Sequence, residues 1–355
     1  MVLDYYGLRE QPFGVTPNPR YLYLSPSHRE ALASLVYGIE SGRGFLALIA
    51  PPGMGKTTLL FQLLDQLGNK ARTVFLFQTQ RGSRDFLRSL MADLGVGPEQ
   101  EDQVVLQARL NEILIEELKA RRKFVLVVDE AQNLDDSALE FVRMLSNFET
   151  PRDKLMHIIL AGQPQLAAKL AQPSMVQLRQ RISMLVRLRP LGASEIAGYV
   201  EHRLRVAGYE GPPLFSGGAL SAVASLSGGI PRNINNICFN ALSLGYAGGR
   251  KIVDSGTVRE VAVDLDLSSF AGETAPLPPA LPVEPQPVLS VTRRRLCVSD
   301  RWAILLDRIS ASATQRYSIT RMETERRISK SWEEGSHLTE AVKGRVDGPR
   351  LPMVN

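Results

Sequence analysis

The chain has 355 residues, 44% of them hydrophobic and 22% charged, which places it with ordinary soluble globular proteins and excludes wholesale disorder or a membrane bundle. No run approaches the roughly 18 apolar residues of a bilayer span, and the N-terminus lacks the basic-then-apolar pattern of a secretion signal. Residues 291–355 carry 13 of the 42 basic and 8 of the 37 acidic residues, which leaves 29 of each in a neutral body and puts the whole excess charge in the tail.

Near the start, Pro12, Phe13, Tyr21 and Tyr23 form an aromatic, proline-rich segment that can pack near a bound base or enter the core. Pro26 suits a first helical turn, and Ser27 and Glu30 have capping-box spacing. Five short apolar runs then recur at 45–50, 74–77, 124–129, 157–161 and 184–188, and they read as buried parallel strands. Segments of helical periodicity, such as 58–67 and 105–118, lie between them, which is the alternation of an α/β sheet covered on both faces. From about Gly192 the pattern turns helical, with candidate helices at 195–207, 218–225 and 231–244 separated by Gly and Pro breakers. Six prolines then fall between Pro276 and Pro287 and predict an extended linker. The expected domains are 1–190, an α/β unit with its N-terminal segment; 191–265, a small all-α lid; 266–292, the linker; and 293–355, a basic, poorly ordered tail. Trp302, Leu305, Leu306 and Ile309 are at helical spacing within that tail. Cys238 and Cys297 fall in different segments, and His28, His157, His202 and His337 lack metal-ligand spacing, so reduced thiols and no zinc are expected.

Ala50-Pro51-Pro52-Gly53-Met54-Gly55-Lys56-Thr57 follows the first strand and, with Thr58, opens a helix, which is the setting of a phosphate-binding loop. Its glycines let the backbone bend around an anion, Lys56 offers an ammonium to the β/γ oxygens, and Thr57 offers a hydroxyl to Mg²⁺. Ala50 stands where the first glycine of that pattern is usual. The third strand ends in Asp129-Glu130, 72 residues after Thr57. Asp129 is expected to hold the Mg²⁺ and Glu130 to polarise the attacking water for displacement at the γ-phosphate of ATP. Gln163, at the end of the fourth strand, is the candidate γ-phosphate sensor. Arg179 and Arg181 precede the fifth strand, where a basic side chain can reach the ATP of a neighbouring subunit. On a helix they point about 200° apart, so one of them acts, and Arg181 is favoured. Arg232 follows Pro231 on a first helical turn of the lid, where it can bind phosphate and report the ATP state through the lid angle.

Together these residues resemble the AAA+ ATPases of the general secretion pathway protein A kind, also called the ExeA family. The resemblance covers about residues 3–262. It rests on Tyr6-Gly7-Leu8 with Pro12-Phe13, on 21–25, on the phosphate loop, and on Asp129-Glu130-Ala131-Gln132-Asn133-Leu134. Gly162-Gln163-Pro164, Leu178-Arg179-Gln180-Arg181 and Gly229-Ile230-Pro231-Arg232 complete it. It implies a P-loop NTPase module of sheet plus helical lid that binds ATP between subunits of a homo-oligomer and assists assembly of a secretion or cell-envelope export machine, with a protein client from that machine. Members of the secretion type often continue into a membrane helix and a peptidoglycan-binding region. This chain is expected to be a short form without either, acting in the cytoplasm or at the inner face of the membrane. The transposition and replication-initiation ATPases have similar motifs, so a DNA-associated regulator is the alternative. The neutral body disfavours DNA as a partner.

Overall fold

The structure, a computed structural model, describes residues 1–77, 82–97 and 102–265. The expected linker and tail, with Cys297, His337, the arginines at 293–295 and 326–327 and the apolar stripe at 302–309, lie outside the described residues. Helices α1 (Val2–Tyr6) and α2 (Pro26–Glu40) precede the first strand, β1 (Phe45–Ile49). There follow α3 (Lys56–Leu67), β2 (Ala71–Leu76), α4 (Ser83–Asp93), α5 (Gln103–Lys119), β3 (Lys123–Val128), α6 (Asp136–Leu145), β4 (His157–Gly162), α7 (Pro164–Leu170), α8 (Val176–Arg181) and β5 (Met184–Arg187). Four helices end the described chain: α9 (Ala193–Val206), α10 (Gly217–Ser227), α11 (Pro231–Ala247) and α12 (Ser255–Asp264).

The five strands form one parallel sheet in the order β2-β3-β4-β1-β5. Because successive strand residues face opposite sides, the central strands feed two cores at once. Phe45, Phe124, Leu126, Val128, Ile158 and Leu160 join the helices α4 to α8 on one face. Leu46, Leu48, Val125, Val127, Ile159 and Ala161 meet α2 and α3 on the other. Burial on both faces is why these strands read as unbroken apolar runs. The order reverses between β1 and β4, and the crevice at their carboxyl ends is where such sheets bind ligands. No helix among the described residues is long and apolar enough to cross a membrane.

The third core belongs to the lid, and it corrects the expected first boundary. Tyr6, Leu8, Phe13 and Tyr21 pack with Ile196, Val200, Phe215, Ile237 and Val258 of the lid, not with the sheet. Phe13 is 2% exposed and meets Phe215 edge-to-face at 6.1 Å, so it is a lid core residue and lies outside the cavity. Residues 2–21 are therefore a strap that belongs to the lid's packing although it precedes the sheet in sequence. The lid also has four helices instead of three. Asp254 caps α12 by accepting from the Thr257 amide at 2.8 Å, and Val258 and Val261 bury its inner face.

Two helix starts also differ from expectation. The N-cap of α2 is Ser25, which accepts from the His28 amide, so Ser27 and Glu30 are not its capping pair; Ser27 Oγ instead accepts from the Arg189 amide at 2.9 Å. Helix α3 begins at Lys56, not Thr58, because the glycines at 53 and 55 take left-handed φ of 79° and 80° and complete the loop before the lysine. At the junction between sheet and lid, the Leu191 amide donates to the Gly229 carbonyl at 2.9 Å. Gly229 has φ 73°, and a Cβ there would lie 2.3 Å from the Leu191 carbonyl oxygen, so only glycine allows the two segments to close on each other.

Candidate nucleotide-binding site

One cavity lies between the phosphate loop, the lid and the end of the N-terminal strap. It is lined by Pro51 through Thr58, by Glu130, Gln163 and Arg232, and by Tyr21, Leu22, Tyr23, His28, Tyr199, Arg203 and Asn235. No side chain caps the N-terminus of α3, so its first amides and the positive end of its dipole are left for an anion. Lys56 rises from that first turn with 7% of its side chain exposed, and its Nζ lies 3.0 Å from Glu130 Oε1 and 3.6 Å from Asp129 Oδ1. Thr57 Oγ1 donates to Asp129 Oδ2 at 2.6 Å. A loop at the end of β1 and an acidic pair at the end of β3, 72 residues apart, are thus in direct contact.

Glu130 is held on several sides. Its backbone is left-handed, with φ 52° and ψ 37°, a strained conformation for a residue with a side chain. Its Oε2 accepts from Gln132 Nε2 at 2.6 Å and from Gln163 Nε2 at 3.0 Å. Partial burial pushes its pKa up, but the donors on Gln132, Lys56 and Gln163, with the Lys56 charge, outweigh burial and leave it below the usual carboxylate range. Gln132 Oε1 in turn accepts from the Gln163 amide at 3.1 Å, so one side-chain amide ties the acid to the loop after β4.

Glycines set the close approaches around this centre. A Cβ on Gly162 would lie 2.8 Å from Gln132 Oε1 and 2.7 Å from Leu166 Cδ2. A Cβ on Gly53 would lie 2.7 Å from Arg232 Cβ, where α11 comes down on the phosphate loop and the Arg232 amide donates to the Gly53 carbonyl at 3.1 Å. Arg232 thus lines the cavity, and its backbone contacts the loop as well.

The cavity wall formed by α9 and α11 is a buried polar chain. Arg203, 8% exposed, donates from Nε to the Pro12 carbonyl at 2.5 Å and from Nη1 to the Tyr199 hydroxyl at 2.9 Å; that hydroxyl donates to Asn235 Oδ1 at 2.8 Å. The guanidinium also lies 4.7 Å from the Tyr21 ring centroid. His28, Gln132, Arg203, Tyr199 and Asn235 were not singled out as site residues from sequence. Gln132 could have been found from its place two residues after the acid; Arg203 is 191 residues from the Pro12 carbonyl it holds, and no local signal announces that contact.

Arg179 and Arg181 lie elsewhere. Both are exposed on the short helix α8, just before β5, at the amino-terminal end of the strands and away from the cavity. Arg181 is close enough to Lys154 that its charge adds to burial in lowering the lysine's pKa.

The residues at the cavity floor fit magnesium and a nucleotide phosphate. Thr57 and Asp129 offer hard oxygens within hydrogen-bond distance of each other, and among the described residues no group of three or more His, Cys, Asp and Glu could hold a metal without further ligands. Mg²⁺ suits such a place because it takes one or two protein oxygens and completes its shell with phosphate and water.

Residues 39–170 match the family model described as "AAA domain". The chain is 38% identical over 266 residues to general secretion pathway protein A of Aeromonas hydrophila, across 75% of this chain and 48% of that protein, so it spans about half the length of that relative. Among solved structures it is similar in fold to Cdc6p of Pyrobaculum aerophilum, at 19% identity and a TM-score of 0.54 over 71% of this chain and 70% of that one. It is likewise similar to the ORC2 protein of Aeropyrum pernix, at 15% identity and 0.53 over 72% and 71%.

The contact between lid and loop generates a paired expectation. Ala at Gly53 and Ala at Gly55 share the same backbone strain, but the nearest atom to a Cβ at Gly55 is His28 Nε2 at 3.7 Å, an ordinary contact. Gly53→Ala should therefore cost about 1–3 kcal/mol more in thermal unfolding than Gly55→Ala, through overpacking against Arg232. Equal losses would show that α11 does not press on the loop.

Proposed function

The chain belongs to the AAA+ ATPases of the general secretion pathway protein A family, and from that premise we propose that it binds ATP with Mg²⁺ in the cavity between sheet and lid and hydrolyses it as an oligomeric motor or switch. The observation that carries this reading is the contact of Lys56 with Glu130 and Asp129 at the mouth of an uncapped helix. Lys56 and the first amides of α3 grip the β- and γ-phosphates. Thr57 and Asp129 hold Mg²⁺, which when bound neutralises charge on those phosphates. Glu130 accepts a proton from water as the water oxygen bonds to the γ-phosphorus, and the bond from phosphorus to the β,γ-bridging oxygen breaks to release ADP. Gln163 and Gln132 orient Glu130, and Arg232 brings the lid to the phosphates.

Arg181, with Arg179 as the alternative, acts on the nucleotide of a neighbouring copy; the support is their exposure at the end of the sheet opposite their own cavity. The client is a protein of a secretion or export system, and the chain works at the cytoplasmic side of the membrane; the support is the 38% identity to a protein whose name places it in general secretion. A DNA-associated role has less support, since the similarity to Cdc6p and the ORC2 protein is one of fold.

Three outcomes are expected. Glu130→Gln should lower kcat by about 10²–10⁴-fold while sparing ATP binding, and the arrested chain should retain the client from envelope extracts only with ATP; unchanged turnover would remove Glu130 from its role. The second concerns pH. Since its donors hold the Glu130 pKa low, kcat should fall only as pH drops below the usual carboxylate range, and Gln132→Leu, which deletes one donor, should move that acidic limb to higher pH. A limb that stays in place in the variant would show that Gln132 does not tune the acid. Third, mixing Lys56→Ala with Arg181→Ala chains, each inactive, should restore part of the ATPase rate if the arginine acts between copies; no recovery in a co-assembled oligomer would refute that role.

A further inference from the structure

Consecutive carbonyls of the phosphate loop are taken by different elements. That of Gly53 accepts from the Arg232 amide of α11, and that of Met54 accepts from His28 Nε2 of α2 at 3.0 Å. A carbonyl oxygen can only accept, so Nε2 carries a proton. Nδ1 lies 2.8 Å from Ser25 Oγ and is then the acceptor of the serine hydroxyl, whose oxygen also receives the His28 amide at 3.3 Å. Burial lowers the imidazole's pKa against weaker opposing effects of the Met54 carbonyl and the Glu195 carboxylate, which favours the neutral ring that these two contacts require.

The Met54–Gly55 peptide is trans, as no described bond is cis, and in a trans peptide the carbonyl and the following N–H point in opposite directions. A Met54 carbonyl drawn onto α2 therefore turns the Gly55 N–H away from α2. Gly55 itself does not decide this: glycine takes positive and negative φ with similar ease, so the peptide plane leading into it can turn over at little cost. The ring that could fix the plane packs directly on the loop, 3.7 Å from where a Cβ of Gly55 would be, and is 3% exposed.

We propose that His28 is a positioning residue for the phosphate-binding loop: by holding the Met54 carbonyl outward it aims the Gly55 amide at the β-phosphate of a bound nucleotide. Ser25 belongs to the same device, because its hydroxyl donates to Nδ1 and so complements the tautomer that the Met54 carbonyl requires, while its oxygen caps α2. The loop is thus held from the sheet side by a side chain that does not depend on the lid, and from the lid side by the Arg232 amide. This inference rests on the nucleotide reading above.

The test uses the full chain with ADP and ATP as probes. His28→Leu, which keeps bulk and deletes the donor, should weaken ADP binding and raise KM for ATP by about tenfold or more. Its kcat should stay within about twofold, because an amide that grips the β-phosphate serves ground and transition states alike. His28→Gln, whose amide nitrogen reaches the same carbonyl, should return ADP affinity to within about threefold of the parent. Long-range ¹H–¹⁵N spectra of the unaltered chain should show the neutral ring protonated at Nε2. ADP affinity unchanged in His28→Leu, or His28→Gln as weak as His28→Leu, would overturn the proposal. So would a ring protonated at Nδ1 alone, and that measurement decides the matter if His28→Leu fails to fold. Failure of the unaltered chain to bind ADP would instead overturn the nucleotide reading, on which the tautomer result does not depend.

Discussion

Lys56 carries its charge at the floor of a cavity where little of it meets water, and an ammonium in such a place is tolerable only if carboxylates come to it. Asp129 and Glu130 do so from β3, which is two places from β1 in the sheet. That requirement fixes the order of everything nearby. The loop must end in a left-handed glycine so that the lysine starts a helix, and the third strand must run buried up to the acidic pair. Glu130 must also take a backbone conformation that turns its carboxylate back toward the loop. A charge cluster of this kind adds little to stability, since desolvation offsets attraction. In the proposed function its value is chemical: a triphosphate can compete with the acids for the ammonium and leave Glu130 free to act on water.

The lid is coupled to this centre through backbone as much as through side chains. Pro231 opens α11 and leaves the Arg232 amide as one of the unsatisfied donors of a first turn, and the Gly53 carbonyl satisfies it. Asn235, one turn further along the same helix, receives the Tyr199 hydroxyl, and through Arg203 the chain of bonds ends on the Pro12 carbonyl of the N-terminal strap. The strap, the Tyr199–Asn235 wall of the cavity and Arg232 are therefore parts of one hydrogen-bonded body. Movement of the lid would carry all three together while His28 keeps the loop attached to the sheet.

The parts that were legible in the sequence are those whose signal is local. Phe45–Ile49 and Lys123–Val128 read as strands because both faces are buried, and the phosphate loop and acidic pair are contiguous motifs. Edge strand β2 was seen only from Val74, since Ala71, Arg72 and Thr73 are half-buried and break the apolar run. Ser25 and Ser27 both precede a plausible first turn of α2, and only the packing shows that Ser25 is its cap. Phe13 and Tyr21 lie 13 residues or fewer from the start of α2, yet one enters the lid core and the other reaches both that core and the cavity wall. A chain that leaves the lid, crosses the sheet and returns gives no periodicity to read. Arg203 gives no local signal for the same reason: on α9 it is an arginine among charged neighbours, and only the N-terminal strap makes it a buried strut.

Amide hydrogen exchange with and without ADP and Mg²⁺ tests the central claim most directly, because the account places one ligand against three segments that are distant in sequence. Slower exchange is expected together at 53–58, at 230–235 and at 21–28. Protection confined to one of these segments, or none at 53–58 under saturating ADP, would contradict a nucleotide held between phosphate loop, lid and strap.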